Sequence, residues 1–292
     1  MKKNEKAMAK IMKEIEKYDV KDEEELNNLL QDTIKKYNAG DLEETEEEKS
    51  ARKSDEILEE AYEAEDKKKA IRLAKKALEI NPKNLDAETF LITFEEDIQV
   101  RLRKYDELIV RTEKELKEEG IVDDESIGHY YGILETRPYM RLRYDKLNFL
   151  KDLGSQKQAI REGEELLKLN EHDNLGVRYT LMSSYAILED LEKCEALYQK
   201  YHENSAFMLL PLLCCYLKNG KYKEARKCVK DLKKANPYLV DALLGQGEGP
   251  EDMNPEFYRP GSREEATIIL RDNLVLLVGT PSIVLFLLNN TK

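Results

Sequence analysis

Gly128–Asn174 reads GHYYGILETRPYMRLRYDKLNFLKDLGSQKQAIREGEELLKLNEHDN, and this stretch decides the fold. Leu147, Phe149, Leu150 and Leu153 carry an apolar stripe up to Asp152-Leu-Gly154, where glycine supplies the left-handed residue that ends a helix without strain. After that turn, Ala159, Ile160, Leu166, Leu167 and Leu169 recur at helical spacing. The stretch therefore predicts a helix, a turn and a second helix whose stripes face each other. Neither helix can bury its stripe alone.

Weaker copies lie on both sides. Asn219-Gly220-Lys221-Tyr222-Lys223-Glu224-Ala225 is followed by Cys228, Val229, Leu232 and Asn236-Pro237. A small residue five positions after the turn glycine lets two backbones approach, and proline at the far end stops the second helix. Ala70, Ala74, Ala77 and Asn81-Pro82 repeat the second half of this pattern. Cys194, Tyr198 and Tyr201 do so after a turn of Glu189-Asp190 in place of glycine. Ala159 and Ala225 stand 66 positions apart, close to two periods of about 34 residues. The unit resembles the tetratricopeptide repeat in a degenerate form, since the chain has no tryptophan and lacks the glycine usual in the first helix. The fold expected is all-α, a tetratricopeptide-like solenoid of helical hairpins forming an α-α superhelix.

Composition agrees with such a body. Of 292 residues, 37% are charged and 8% aromatic, the profile of a solenoid with a charged convex surface. The net charge of −12 is uneven: residues 1–66 hold 12 Lys/Arg against 22 Asp/Glu, so −10 sits there and −2 in the remainder. A surface of that sign repels phosphate backbones, and no basic stripe interleaved with aromatics appears, so nucleic acid is excluded as a partner. Cys194, Cys214, Cys215 and Cys228 all fall on apolar helical positions without ligand spacing. They read as buried reduced thiols in a cytoplasmic protein. MKKNEKAMAKIMKEIEK lacks the apolar core of a signal peptide. Leu274–Leu288 is apolar, but fifteen residues span about 22 Å as a helix, short of a roughly 30 Å hydrocarbon core, and Gly279-Thr-Pro281 splits the run. A buried terminal helix pair is expected there, and no membrane.

Four parts follow along the chain: a short helical segment at 1–40, an acidic linker at 41–53, the repeat array at 54–246, and a loop with C-terminal capping helices at 247–292. Two helices are expected before Asn38-Ala-Gly40. The acidic run Glu43–Glu48 reads as a solvated linker or an extended acidic helix. Asp123–Glu135 reads as a shorter helix with Gly128 and Gly132 on one face, where another backbone can press, and Thr136 as cap of the helix that Pro138 starts. Pro211 must kink the helix of Phe207–Leu217 or start it late. Gly247–Gly261, with three prolines and three glycines, is a loop, and Ser262-Arg-Glu-Glu265 resembles a capping box that opens the last long helix.

A second resemblance covers about Ser54–Leu288. It rests on Gly128-His129, Leu134-Glu-Thr-Arg-Pro-Tyr-Met140, Leu169-Asn170, Asp173-Asn174, Gly176-Val-Arg-Tyr179, Asn236-Pro237, Leu243-Leu-Gly245, and Tyr258-Arg-Pro-Gly-Ser262 with Glu265-Ala266. In order and spacing these resemble bacterial tetratricopeptide proteins related to the suppressor-of-tumorigenicity-seven family. The C-terminus departs from that pattern, with Ile283–Leu288 where the family tends to carry aromatics. The resemblance implies a non-enzymatic helical-repeat protein and leaves the ligand open.

His129, His172 and His202 have no paired ligand at helical spacing, so no metal is expected. No phosphate-cradling loop or nucleophile motif appears, so no cofactor is expected either. His129, Tyr130, Glu135, Arg137, Tyr139 and Arg141 form the densest polar and aromatic cluster. On one reading it is a structural corner, with Glu135 and Arg137 satisfying helix ends. On the other, Arg137 or Arg141 holds a ligand carboxylate while tyrosines cover its apolar part.

Superposing repeat positions puts Arg141, Tyr144 and Asn148, then Tyr179 and Ser183, then Leu210, Cys214 and Leu217 on an inner face suited to an extended peptide. Asn174 and Arg178 read as a turn residue and a helix-surface charge. The function expected is peptide or protein binding in the groove of residues 138–235, through Arg137, Tyr139, Arg141, Tyr144, Asn148, Tyr179, Ser183 and Leu210. The rivals are a homo-oligomer joined through Leu274–Leu288, a peptide-sensing transcription regulator, and an enzyme using His129 with Glu135. The regulator would need a basic DNA-binding start, and the start is acidic. The enzyme would need two residues more than one helical turn apart to meet.

Overall fold

A computed structural model of the protein describes residues 2–15, 17–39, 42, 44–246 and 257–290, with side chains from residue 7 onward except residue 9. Among the described residues there is no β-strand, and sixteen α-helices follow one another. They are α1 (Lys2–Ile15), α2 (Glu23–Ala39), α3 (Glu46–Tyr62), α4 (Lys67–Ile80), α5 (Leu85–Ile92), α6 (Ile98–Glu118), α7 (Arg137–Asp152) and α8 (Gln156–Leu169), continued by α9 (Val177–Ile187), α10 (Leu191–Tyr201), α11 (Ala206–Lys218), α12 (Tyr222–Ala235), α13 (Pro237–Leu243), α14 (Arg263–Asp272), α15 (Leu274–Val278) and α16 (Ser282–Asn290). The chain forms two compact units, Met1–Arg143 and Tyr144–Lys292.

In the first unit, α1 packs on α2, α3 on α4, α4 on α5 and α5 on α6, as neighbouring pairs consistent with a helical solenoid. The α3–α4 pair joins Ile57, Leu58 and Ala61 to Leu73, Ala74 and Ala77, with Ala87 of α5 closing the cluster. Each large aliphatic side chain buried here stabilises by about 1.5–3 kcal/mol, and the alanines let the backbones approach. Of the two forms expected for the acidic run, the chain takes the helix from Glu46 on. Thr45 caps it through a full capping box with Glu48, and Glu46 and Glu47 fill the first turn, where the helix dipole favours acids. Gly40, Asp41 and Glu43 lie outside the described residues.

In the second unit, α8 packs on α9, α10 on α9 and α11, and α11 on α9 and α12; α12 then packs on α13 and α13 on α14. The turn glycines Gly154 (φ 72°) and Gly220 (φ 68°) hold the left-handed conformation, and in the copy without glycine Glu189 holds it at φ 63°. A non-glycine residue there costs roughly 1–2 kcal/mol, offset by the packing on either side. Three helices, α4, α8 and α12, are each 14 residues long and each ends on an asparagine that has left the helical conformation: Asn81, Asn170 and Asn236. In each, the asparagine N–H still donates to the carbonyl four residues back (Ala77, Leu166, Leu232) while the chain turns away. Asn84 and Asp173, three residues after the first two, then cap α5 and α9 with their side chains. Asn236 caps α13 itself, because Pro237 starts that helix at once.

Several expectations need correction. Asp123–Glu135 is not an α-helix. It is a run of turns with one 3-10 turn at Tyr130–Gly132, and Gly128 lies at φ 95°. Asp123 accepts from the Ser126 N–H and hydroxyl, local bonds that compete with a helix, and a Cβ on Gly132 would meet nothing, so no backbone presses on it. The Thr136 hydroxyl lies between the Tyr130 and Ile133 carbonyls and so ties down this turn. Pro211 sits inside α11, which already begins at Ala206, so the helix does not start late.

Ser262 accepts from the Glu265 N–H as expected and opens α14, the longest of the three C-terminal helices, but the Glu265 carboxylate reaches Gly261 N–H and Asn236 rather than closing the box. The C-terminal pair is only half buried: Leu276, Ile283 and Leu287 face inward, while Leu274, Val275, Val278 and Leu285 are 62–74% exposed. No described helix is long and apolar enough to cross a membrane. Of the expected loop at Gly247–Gly261, residues 247–256 lie outside the described residues.

Candidate functional site

A cavity of about 740 Å³ belongs wholly to the first unit. Its wall begins where α4 stops at Asn81-Pro82 and Asn84 opens α5; this asparagine also donates to Ser54 and Asp55 on α3, fixing the corner. α5 adds Leu85, Asp86 and Glu88, and the second half of α6 adds Arg111, Thr112, Glu115, Leu116 and Glu119. Ile121, Leu134 and Glu135 come from the turns before α7, and Pro138 and Arg141 from its start. The volume falls within the range of ligand clefts, about 300–1,000 Å³.

Arg141 grips Asp86 with both arms of its guanidinium, Nε to Oδ1 at 3.0 Å and Nη2 to Oδ2 at 2.8 Å, with both side chains mostly buried. Such planar, two-point pairing orients both groups and leaves little conformational freedom. Arg111 reaches Glu88 at 2.6 Å and Glu115 at 3.7 Å, and Lys83 reaches Glu119 at 3.5 Å. The cleft is thus walled by ion pairs with carboxylates in excess.

Arg137 and Tyr139 belong to the corner beside it. Arg137 Nε donates to the Tyr131 carbonyl at 2.9 Å, and its guanidinium lies 4.9 Å from the centre of the Tyr131 ring. Tyr139 is 1% exposed, with its hydroxyl 3.4 Å from a Glu113 carboxylate oxygen and 3.4 Å from Arg143 Nη1. Lys117, then burial and the nearby Arg143, set the Glu113 carboxyl, with Lys117 dominating and holding it below the usual carboxylate range. Glu135 and His129 are both exposed.

The other expected residues lie in the second unit. Tyr144 is hydrogen-bonded to Asn148 one turn along α7, and burial raises its phenol above the ordinary value. The Ser183 hydroxyl is 2.5 Å from Asn273 Oδ1, and Leu210 and Cys214 are fully buried. α15 packs on α9, and α14, α15 and α16 all pack on α11, so the surface expected to receive a peptide through Ser183 and Leu210 is covered by the C-terminal helices. Tyr179 stays at the edge, its hydroxyl donating to Glu203 at 2.7 Å and its ring 5.1 Å from Phe207.

Arg178 is more than a surface charge. It donates to Glu203 at 2.7 Å and Asp173 at 2.8 Å, and covers the Tyr179 ring at 4.3 Å. Burial pulls its guanidinium down, but Glu203 and Asp173 more than offset that and leave it raised. Burial pushes the Asp173 carboxyl up against the pull of Arg178. This hub ties the turn before α9 to the turn before α11.

The residues that sequence reasoning missed are Asp86, Glu88, Arg111 and Glu115. Their one signal was position, just past Asn81-Pro82 and across from it. Set against protein-family models and against curated proteins, the chain matches none.

Proposed function

We propose that the chain is a non-enzymatic helical-repeat module of the tetratricopeptide type, holding a peptide or protein segment, and that the cleft of the first unit is where it does so. The observation that carries this is the open 740 Å³ cleft, walled by ion pairs over the apolar side chains of Leu85, Leu116, Ile121 and Pro138. Apolar floor and fixed polar rim are what an extended segment needs: the floor hides its side chains and the rim sets their register. Repeat type is supported by the three equal helices ending on asparagine, and kinship with the bacterial suppressor-of-tumorigenicity-seven-related proteins remains part of the proposal. Such binding needs no cofactor or metal, and the four buried free cysteines suit a reducing, cytoplasmic setting.

Panning a random-peptide library on the full chain tests the reading. Ligands should be recovered whose binding drops at least tenfold for Leu85→Trp, which fills the cleft without adding charge. Ligands that bind this variant undiminished would overturn the site. A second reading, self-association, has its own observation in the exposed Leu274, Val275, Val278 and Leu285. Light scattering showing a monomer at high concentration would remove it.

A further inference from the structure

We infer that the segment held in the cleft is basic, with lysine or arginine side chains alternating with apolar ones; this rests on the binding reading above. Six carboxylates line the cleft, from Asp55, Asp86, Glu88, Glu115, Glu119 and Glu135, against three cations. Each of those cations already faces a carboxylate of the same wall: Arg141 faces Asp86, Arg111 faces Glu88 and Glu115, and Lys83 faces Glu119. The protein itself has therefore used its positive charge, and the excess left in the concave wall is negative. A cleft concentrates such a field, since its low-dielectric walls keep water from screening it fully.

A second observation points to a polar ligand. Thr112 lines the same cleft, is 7% exposed, and its hydroxyl has no hydrogen-bond partner among the described residues. A hydroxyl left without a partner inside a protein costs free energy until a polar group reaches it; it can accept from an ammonium, guanidinium or backbone N–H and can equally donate to a carbonyl. Between the acids stand Leu85, Leu116, Ile121 and Pro138, which have nothing to offer a bare polyvalent cation but would cover the apolar residues of a chain. Charge complementarity and the apolar floor together select a basic, partly apolar peptide over nucleic acid, whose phosphates the same wall repels.

The test is fluorescence anisotropy on the full chain with three short labelled peptides of equal length, alternating leucine with arginine, with glutamine or with glutamate. The arginine peptide should bind about tenfold more tightly than the glutamine one and lose affinity as salt is raised, and the glutamate peptide should not bind. Glu119→Gln with Glu135→Gln should weaken the arginine peptide about fivefold and leave the glutamine peptide unchanged. Lys83→Glu should tighten it by about threefold, a gain that damage to the fold would not produce. The Lys83 side chain is 80% exposed, so the variant should fold.

Equal binding of the arginine and glutamine peptides, both lost with Leu85→Trp, would overturn the basic preference and leave the module standing. Binding of the arginine peptide that ignores Leu85→Trp, or no binding by any of the three, would overturn the preference too. If library panning also recovers nothing sensitive to Leu85→Trp, the module reading falls with it.

Discussion

In the first unit the surface between the α4–α5 junction, α6 and the start of α7 stands open and is lined by ion pairs; in the second, the surface of α9 and α11 is covered by α14, α15 and α16. The difference follows from what each surface is made of. Leu210, Cys214 and Leu217 on α11 are apolar and gain by leaving water, so a surface built from them draws a cover. Asp86, Glu88, Arg111 and Glu115 are charged, and their pairing is adequate in water, so nothing drives a cover onto them. In a helical array an open surface is one that remains stable while wet.

The comparison can be broken most forcefully at Arg141. Arg141→Ala leaves the mostly buried Asp86 carboxylate without its partner and should destabilise by about 3 kcal/mol in chemical denaturation. A loss below about 1 kcal/mol would mean that the cleft wall is not held by this pair. A smaller effect belongs to the covered surface. Asn273→Leu removes the acceptor 2.5 Å from the Ser183 hydroxyl and the donor to the Ile269 carbonyl, and should cost about 2 kcal/mol. If urea melts of this variant match the parent, the C-terminal helices are held on α9 by apolar contact alone.

The smallest effect concerns the acidic start of α3. Hydrogen bonding to Lys13, then to the Thr45 backbone, pulls the Glu48 carboxyl from 4.5 down to about 2. A carboxyl depressed on folding adds stability that is full above its unfolded value and fades as pH falls through the folded one, here between about 4.5 and about 2. Glu48→Gln should therefore lose about 1 kcal/mol at neutral pH and show a flatter acid limb than the parent. An identical acid limb in both proteins would show that Lys13 and the Thr45 N–H do not hold the Glu48 carboxylate in solution.

Much of the array was legible because its rules are local. Gly154 and Gly220 mark turns through their freedom at positive φ, and the stripe of Leu166, Leu167 and Leu169 marks a face by period alone. Glu189 was legible too, as the turn of the copy without glycine. Asp123–Glu135 misled because spacing of apolar residues survives in a chain of turns, while the Asp123–Ser126 bonds that prevent a helix leave no periodic trace. The candidate site was legible only on its α7 side, through Glu135, Pro138 and chiefly Arg141. Its partners lie 55 positions back at Asp86 and around Arg111, and no period links an ion pair across three helices. Ser183 and Leu210 were chosen by repeat register, but register says nothing about a later segment returning to cover them.

That returning segment has a quantitative consequence. Being part of the same polypeptide, α14–α16 meet α9 and α11 at an effective concentration on the order of millimolar, however dilute the protein is. A separate helix seeking that surface would need micromolar affinity or better merely to compete. Weak apolar sequences in a crowded solution are thus turned away from α9 and α11 by a resident neighbour.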